Sequence, residues 1–262
     1  MVENEVRFDD VLVDTSFGKM HALVSRSSNQ SAECYVLLHG LLVSASYMEP
    51  TARVLGLSNT VFIPNMLGHG KSETPKHALN IKEHAASLSE FLRAQNILQP
   101  VLIGGSYGCN IAAELAASHG VNAKALVLIG PTDVHGRSVQ SLLGDLVKDG
   151  FFEPPIMVPT VIGDVSRIGI ERCLDQLRYM SEHDMDDALL RCGIPILLIK
   201  GEHDLLSSEE IVRDKFEIIP DCQAINVIGS AHCLSVSDPE LCAEMIEDFV
   251  NQGDLNDVYR AA

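Results

Sequence analysis

Short runs of apolar, mostly β-branched residues recur along the 262-residue chain, with helically spaced stretches between them. The first two runs, at 6–13 and 20–25, turn around Ser16-Phe17-Gly18 and predict an antiparallel pair. Further runs lie at 34–38, 60–64, 101–104, 125–129, 194–200 and 224–228. The later ones are continuously apolar instead of alternating, the pattern of parallel strands covered on both faces. Ile81, Ala85, Leu88 and Leu92 mark a helix over 81–96, and Ala and Leu enrich 107–119. Asp238-Pro239 reads as a helix start, with an amphipathic closing helix running to residue 250. Strands alternating with helices predict an α/β fold, a mostly parallel central sheet of about eight strands with helices on both faces.

One stretch breaks the alternation. From residue 131 to 191 no strand is evident, and short helical patterns surround the apolar segment 151–157. A bare loop of that length is unusual inside a domain. The expectation is a helical cap inserted after the sixth strand, 131–191, on a core made of 1–130 and 192–262.

Composition fits one large domain: 46% of the residues are hydrophobic and 21% charged. The formal charge of −17 argues against nucleic acid or anionic membrane as a partner, because polyanions are held by clustered Lys and Arg. The seven cysteines are an odd count with no CxxC pair, so buried thiols in a reducing compartment are expected. The first ten residues are polar and acidic, and no apolar run approaches a membrane span. A cytoplasmic protein without a secretory signal or a membrane partner is the expectation; oligomeric state stays open.

The chemistry starts at Gly104-Gly105-Ser106-Tyr107-Gly108, between an apolar run and an Ala-rich helical stretch. A G-x-S-x-G sequence in a strand–turn–helix setting is a nucleophile elbow, with glycines where backbone segments crowd. The same turn without chemistry would be a Gly-Ser-rich anion-binding turn. A serine hydroxyl needs a base to accept its proton. His232 follows the run ending at 228, and Asp204 follows the run ending at 200, placed to orient that base. Alone, each would read as an ordinary loop residue. The order Ser, Asp, His, each just past a predicted strand, is the order of this class of site. Asp133, after the run ending at 129, is an alternative acid. His203 beside Asp204 lacks the spacing of paired zinc ligands, so neither a metal nor a cofactor is expected. Cys233 reads as a packed thiol.

With these residues in place, the chain resembles the α/β-hydrolase superfamily over nearly its full length, and within it the small capped esterase-type serine hydrolases. Leu38-His39-Gly40-Leu41 resembles that family's oxyanion loop, and Asn65-Met66-Leu67-Gly68-His69-Gly70-Lys71-Ser72 its D-x-x-G-H-G-x-S turn. The pattern departs at Asn65, usually Asp, and at Cys109, where many esterases carry Gly. The resemblance implies catalytic Ser106, Asp204 and His232, with backbone N–H groups of Leu41 and Tyr107 as the oxyanion hole. His39 and His69 read as structural hydrogen-bonders, His39 and Gly40 also as candidate pocket residues.

The implied function is hydrolysis of a carboxylic ester, thioester or lactone, a small-molecule acyl substrate, through an acyl-enzyme on Ser106. Phe151, Phe152, Ile156, Met157 and Val158 are candidates to cover an apolar part of it, or to pack on the core instead. Two alternatives stand beside this. One is carbon–carbon bond hydrolysis of the meta-cleavage-product type, with Arg137, Arg167, Arg172 or Arg178 binding a substrate carboxylate. The other is a ligand-binding or cyclase member of the same fold.

Overall fold

The computed structural model describes residues 6–29, 31–117, 120–132, 134–151 and 153–252. A hairpin, β1 (Asp9–Thr15) and β2 (Gly18–Ser25), opens the chain; Thr15 pairs with Gly18 across its turn. Then follow β3 (Cys34–Leu38), α1 (Glu49–Leu55), β4 (Thr60–Pro64), α2 (Ile81–Ala94), β5 (Val101–Gly105), α3 (Tyr107–Ala117) and β6 (Ala125–Ile129). Four helices come next: α4 (Val139–Asp149), α5 (Met157–Ile168), α6 (Ile170–Glu182) and α7 (Met185–Cys192). The chain closes through β7 (Ile196–Gly201), α8 (Glu209–Ile218), β8 (Cys222–Val227), α9 (Leu234–Ser237) and α10 (Pro239–Gln252).

The strands form one eight-stranded sheet in the order β1-β2-β4-β3-β5-β6-β7-β8. Pairings β1/β2 and β2/β4 are antiparallel; β4 through β8 run parallel. Every residue of β5, β6 and β7 is buried, which is why those runs are apolar but for Lys200 at the end of β7, whose ammonium donates to the Gly201 carbonyl. Their side chains feed two apolar clusters, one against each face of the sheet. Boundaries differ from the sequence pattern by a few residues. Strand β7 starts at Ile196 because Pro195 gives its carbonyl to Leu126 but has no N–H to pair.

Helix starts follow local chemistry. Asn80 and Glu83 form a reciprocal capping box on α2, each side chain accepting the other's amide. Ile81, Ala85, Leu88 and Leu92 then face the core. At the far end, the Asp238 carbonyl accepts the Cys242 amide to open α10, while its carboxylate takes the Ser230 and Ser237 hydroxyls.

From β3 the chain steps first to β4 on one side and then to β5 on the other. Ligands of open α/β sheets bind where connections diverge in this way, beyond the carboxyl ends of the strands. Ser106 occupies that rim with φ +51°, a left-handed conformation rare for a residue with a side chain. Its amide donates to the Ile129 carbonyl, and its carbonyl accepts the Cys109 amide. The flanking glycines permit the turn by contact distance: a Cβ on Gly104 would stand 2.5 Å from the Gly108 carbonyl oxygen, and one on Gly108 2.3 Å from that of Leu38.

Between β6 and β7, α7 packs on α3, while α4 and α5 pack against α6. Helix α6 is fastened to the sheet domain: Arg172 donates to the carbonyls of Pro75 and His77 at 2.7 and 2.9 Å, and the Gln176 amide reaches His69 Nε2 at 2.9 Å.

Gly108→Ala is expected to destabilise the fold by about 3 kcal/mol, the upper end of overpacking costs, since backbone must move to admit a methyl group. Urea unfolding of the two proteins measures it; equal midpoints would show that the close approach is not tight.

Candidate active site

His232 lies in the loop after β8, buried, with Nδ1 2.8 Å from Asp204 Oδ2. The aspartate fixes the tautomer: Nδ1–H donates, which leaves Nε2 as the acceptor in the neutral ring. Asp204 Oδ1 in turn accepts the amides of Leu206 and Ser207 at 2.9 and 2.8 Å. The pair rests on Gly130, at φ +59° just past β6; a Cβ there would stand 2.8 Å from the imidazole and 3.1 Å from Asp204 Oδ2. Ser106 is bonded to the preceding residue, Ile129, so the serine turn and the imidazole meet consecutive positions of one strand end. Ser106 and His232 both line one cavity of about 260 Å³. Nε2 of His232 is buried and has no hydrogen-bond partner among the described residues, Ser106 Oγ included.

Electrostatics sharpen this picture. Burial lowers the pKa of His232, but the charge and hydrogen bond of Asp204, with Asp149 and Glu153 nearby, outweigh it and push the ring up to about 9. Burial opposes ionisation of Asp204, yet the attraction of His232 and the two amides hold its pKa below the ordinary carboxylate value.

The two expected backbone donors are at the rim as well. Leu41 lines the cavity, and no described group accepts its amide. Tyr107 is the first residue of α3, where an amide has no intrahelical acceptor.

Of the pocket candidates, Gly40 and Met157 line the cavity, as does Val158. His39 does not: its ring is fully buried, Nδ1–H on the Gly40 carbonyl and Nε2 accepting the Met66 amide. His69 is held the same way, between the Val43 carbonyl and Gln176. Burial pushes both rings down, His69 to about 4, so they stay neutral. Phe151 and Ile156 also miss the cavity; 84% and 75% exposed, they belong to the α4–α5 connection and turn outward. Phe152 and Asp133 lie outside the described residues. Leu146 of α4 and Val161 and Ile162 of α5 line the cavity instead, together with Leu42, Val43 and Tyr47.

Two wall residues escape a sequence reading. Asp149, at the end of α4, is buried, and its pKa is raised to about 6, chiefly by that burial. Glu153 accepts the amides of His232 and Cys233. In a chain with 36 acidic residues nothing local sets them apart, and their bonding partners are 56 and 79 residues away.

The two departures from the family turn have local reasons. Asn65 accepts the Ala45 amide through Oδ1 and donates through Nδ2 to His21 Nδ1, a donation that a carboxylate lacks the proton to make. Cys109 is buried, its thiol on the carbonyls of Gly104 and Ile129. His203 is exposed, and no cluster among the described residues has the makings of a metal site.

The chain belongs to the α/β-hydrolase fold family, whose sequence profile matches residues 36–172, just over half its length. It is an enzyme of the hydrolase type. A carboxylesterase, YbfK of Bacillus subtilis, is 21% identical over 260 residues, 92% of this chain and 87% of that protein. The 2-(acetamidomethylene)succinate hydrolase of Mesorhizobium japonicum is 22% identical over 247 residues, 84% and 89% of the two chains. Among solved structures, a thermophilic esterase from Thermogutta terrifontis superposes with a TM-score of 0.77 at 16% identity, covering 94% of this chain and 98% of that one.

The His232 imidazole is expected to titrate well above the ordinary histidine value of 6.5, toward 9, and to fall back in Asp204→Asn. NMR of the ring carbons measures both. Because the folded pKa exceeds the unfolded one, this contact stabilises the fold fully below pH 6.5, and that contribution disappears as pH rises through 9. A midpoint near 6.5 would mean that the carboxylates do no more than offset the cost of burying the charged ring.

Proposed function

We propose that the protein hydrolyses uncharged carboxylic esters, thioesters or lactones through an acyl-enzyme on Ser106. The reading rests on one observation: a buried His232 whose Nδ1 is committed to Asp204, with Nε2 unpaired at the cavity that Ser106 lines. Ser106 Oγ attacks the carbonyl carbon while Nε2 takes its proton, and the developing oxyanion meets the Leu41 and Tyr107 amides. The imidazolium, stabilised by Asp204, protonates the leaving alcohol or thiol as the tetrahedral intermediate collapses. Water, deprotonated by the same ring, then releases the acid. The arrangement needs no cofactor or metal.

The cavity walls speak to the substrate. Apolar side chains of α4 and α5 suit an apolar acyl or alcohol part, and residues 131–191 serve in this reading as a cap on the core formed by 1–130 and 192–262. Among the described residues, the charged lining, Asp149 and Glu153 beside His232, includes no Lys or Arg. That disfavours carbon–carbon cleavage of an anionic substrate and a dicarboxylate like that of the Mesorhizobium relative. The four arginines named as candidates for a substrate carboxylate are engaged elsewhere: Arg137 with Asp145, Arg167 with Asp164, Arg172 with two carbonyls, Arg178 with Asp175.

All seven cysteines are free, which supports a reducing compartment such as the cytoplasm. No helix among the described residues is long and apolar enough to cross a membrane.

Ser106→Ala is expected to cut turnover of a short-chain p-nitrophenyl ester by about 10⁴-fold or more, with the fold intact. Undiminished turnover would remove Ser106 from the mechanism. For the wild type, kcat/KM should rise with pH until His232 loses its proton, on a limb above 6.5 and toward 9. A second series separates the substrate readings: a neutral acyl ester should be cleaved at least about tenfold more efficiently than its ω-carboxylated counterpart, given carboxylates in the wall. Preference for the carboxylated ester would reverse that conclusion.

A further inference from the structure

We infer that Glu153 is a positioning residue, whose carboxylate holds the His232 loop so that the imidazole is presented to Ser106. This rests on the serine-hydrolase reading above.

The His232 amide donates to Glu153 Oε1 at 2.8 Å, and the next amide, that of Cys233, reaches Oε2 at 3.0 Å and Oε1 at 3.2 Å. Neither amide has another acceptor among the described residues. The loop's other ties flank them: before, Gly229 donates to Glu202 and the Ser230 carbonyl accepts the His203 amide; after, the Cys233 carbonyl accepts the Val236 and Ser237 amides as α9 begins. The amides of His232 and Cys233 themselves are thus held by a side chain from a different part of the fold. A carboxylate is well suited to this, because an ionised acceptor makes hydrogen bonds roughly twice as strong as a neutral one.

Asp149 repeats the arrangement on the other loop. Its Oδ1 accepts the amide of Leu205, the residue after Asp204. One short segment, running from the end of α4 to Glu153, thereby grips both loops that carry the proposed acid and base. That same segment borders the cavity. Seating the α4–α5 side of the cavity and aligning the proton acceptor become one event.

Charge enters alongside geometry. His232 is faced by Asp204 from the loop after β7, by Asp149 from α4 and by Glu153 from the connection, with the Cys233 thiol and Tyr47 hydroxyl close to Glu153. Removing the Glu153 charge takes away one of three carboxylates that favour the protonated ring.

The test uses the full chain carrying Glu153→Ala or Glu153→Gln, with Ser106→Ala alongside. Thermal unfolding establishes that each protein is folded. On the alkaline plateau, Glu153→Ala should lower both kcat for a neutral p-nitrophenyl ester and the rate of fluorophosphonate labelling by about tenfold to a hundredfold, as expected of a displaced catalytic group. KM should stay within about twofold, because no substrate contact is lost. Glu153→Gln keeps an oxygen acceptor and should recover most of kcat, and it covers the case in which the alanine variant does not fold. In both variants the acid limb of kcat/KM should move to lower pH. An alanine variant with wild-type kcat and labelling, a glutamine variant slowed as much as alanine, or an unmoved limb would each overturn the positioning role. If the wild type fails to label, or Ser106→Ala still turns over, the underlying serine-hydrolase reading falls instead.

Discussion

The hydrogen bond from His232 to Asp204 is the contact around which this end of the sheet is arranged. It joins loops that follow β7 and β8, and it fits only because Gly130, beyond β6, has no side chain to occupy the same space. Asp204 is buried and charged, so the imidazole and two amides are what make its ionised state tolerable there. The loop carrying the aspartate is shaped by those amides. Position, charge and backbone course at the rim follow together from one buried pair.

The second constraint is the Ser106 turn. Its left-handed backbone is held by glycines pressed against the carbonyls of neighbouring segments and by the bond to Ile129. Strain at a single non-glycine residue persists when the surroundings over-determine it. Around this rigid floor the helices between β6 and β7 are attached in different ways. Helix α6 is pinned by an arginine on two carbonyls and by Gln176 on His69, whereas the α4–α5 connection is held by two carboxylates on loop amides.

What could be read from the chain alone divides along physical lines. The sheet was legible because strands buried on both faces are nearly continuously apolar, as β5 to β7 are with Lys200 the single charged exception. The serine turn was legible because its demand for glycine is local in sequence. Asp204 and His232 were legible only as a set, through their order after successive strands. The pocket wall was legible only in part, through Gly40, Met157 and Val158. The apolar segment 151–157 announces burial without saying which face is buried, and Phe151 and Ile156 turn outward while Leu146, Val161 and Ile162 supply the wall. Asp149 and Glu153 stayed hidden because their partners are remote in sequence and because an acid in an acidic chain reads as solvated surface. Asn65 looked like a defect in a family turn, and His21 supplies its reason.

The wall formed by α4 and α5 comes from consecutive residues of a single stretch, whereas Ser106, Gly130, Asp204 and His232 belong to four separate connections of the sheet. On the proposed reading, bond-breaking and much of the shape discrimination are therefore encoded in different parts of the gene. A mutational library confined to a few dozen codons would reshape what enters the cleft without disturbing the rim beneath, provided that Asp149 and Glu153 are left alone.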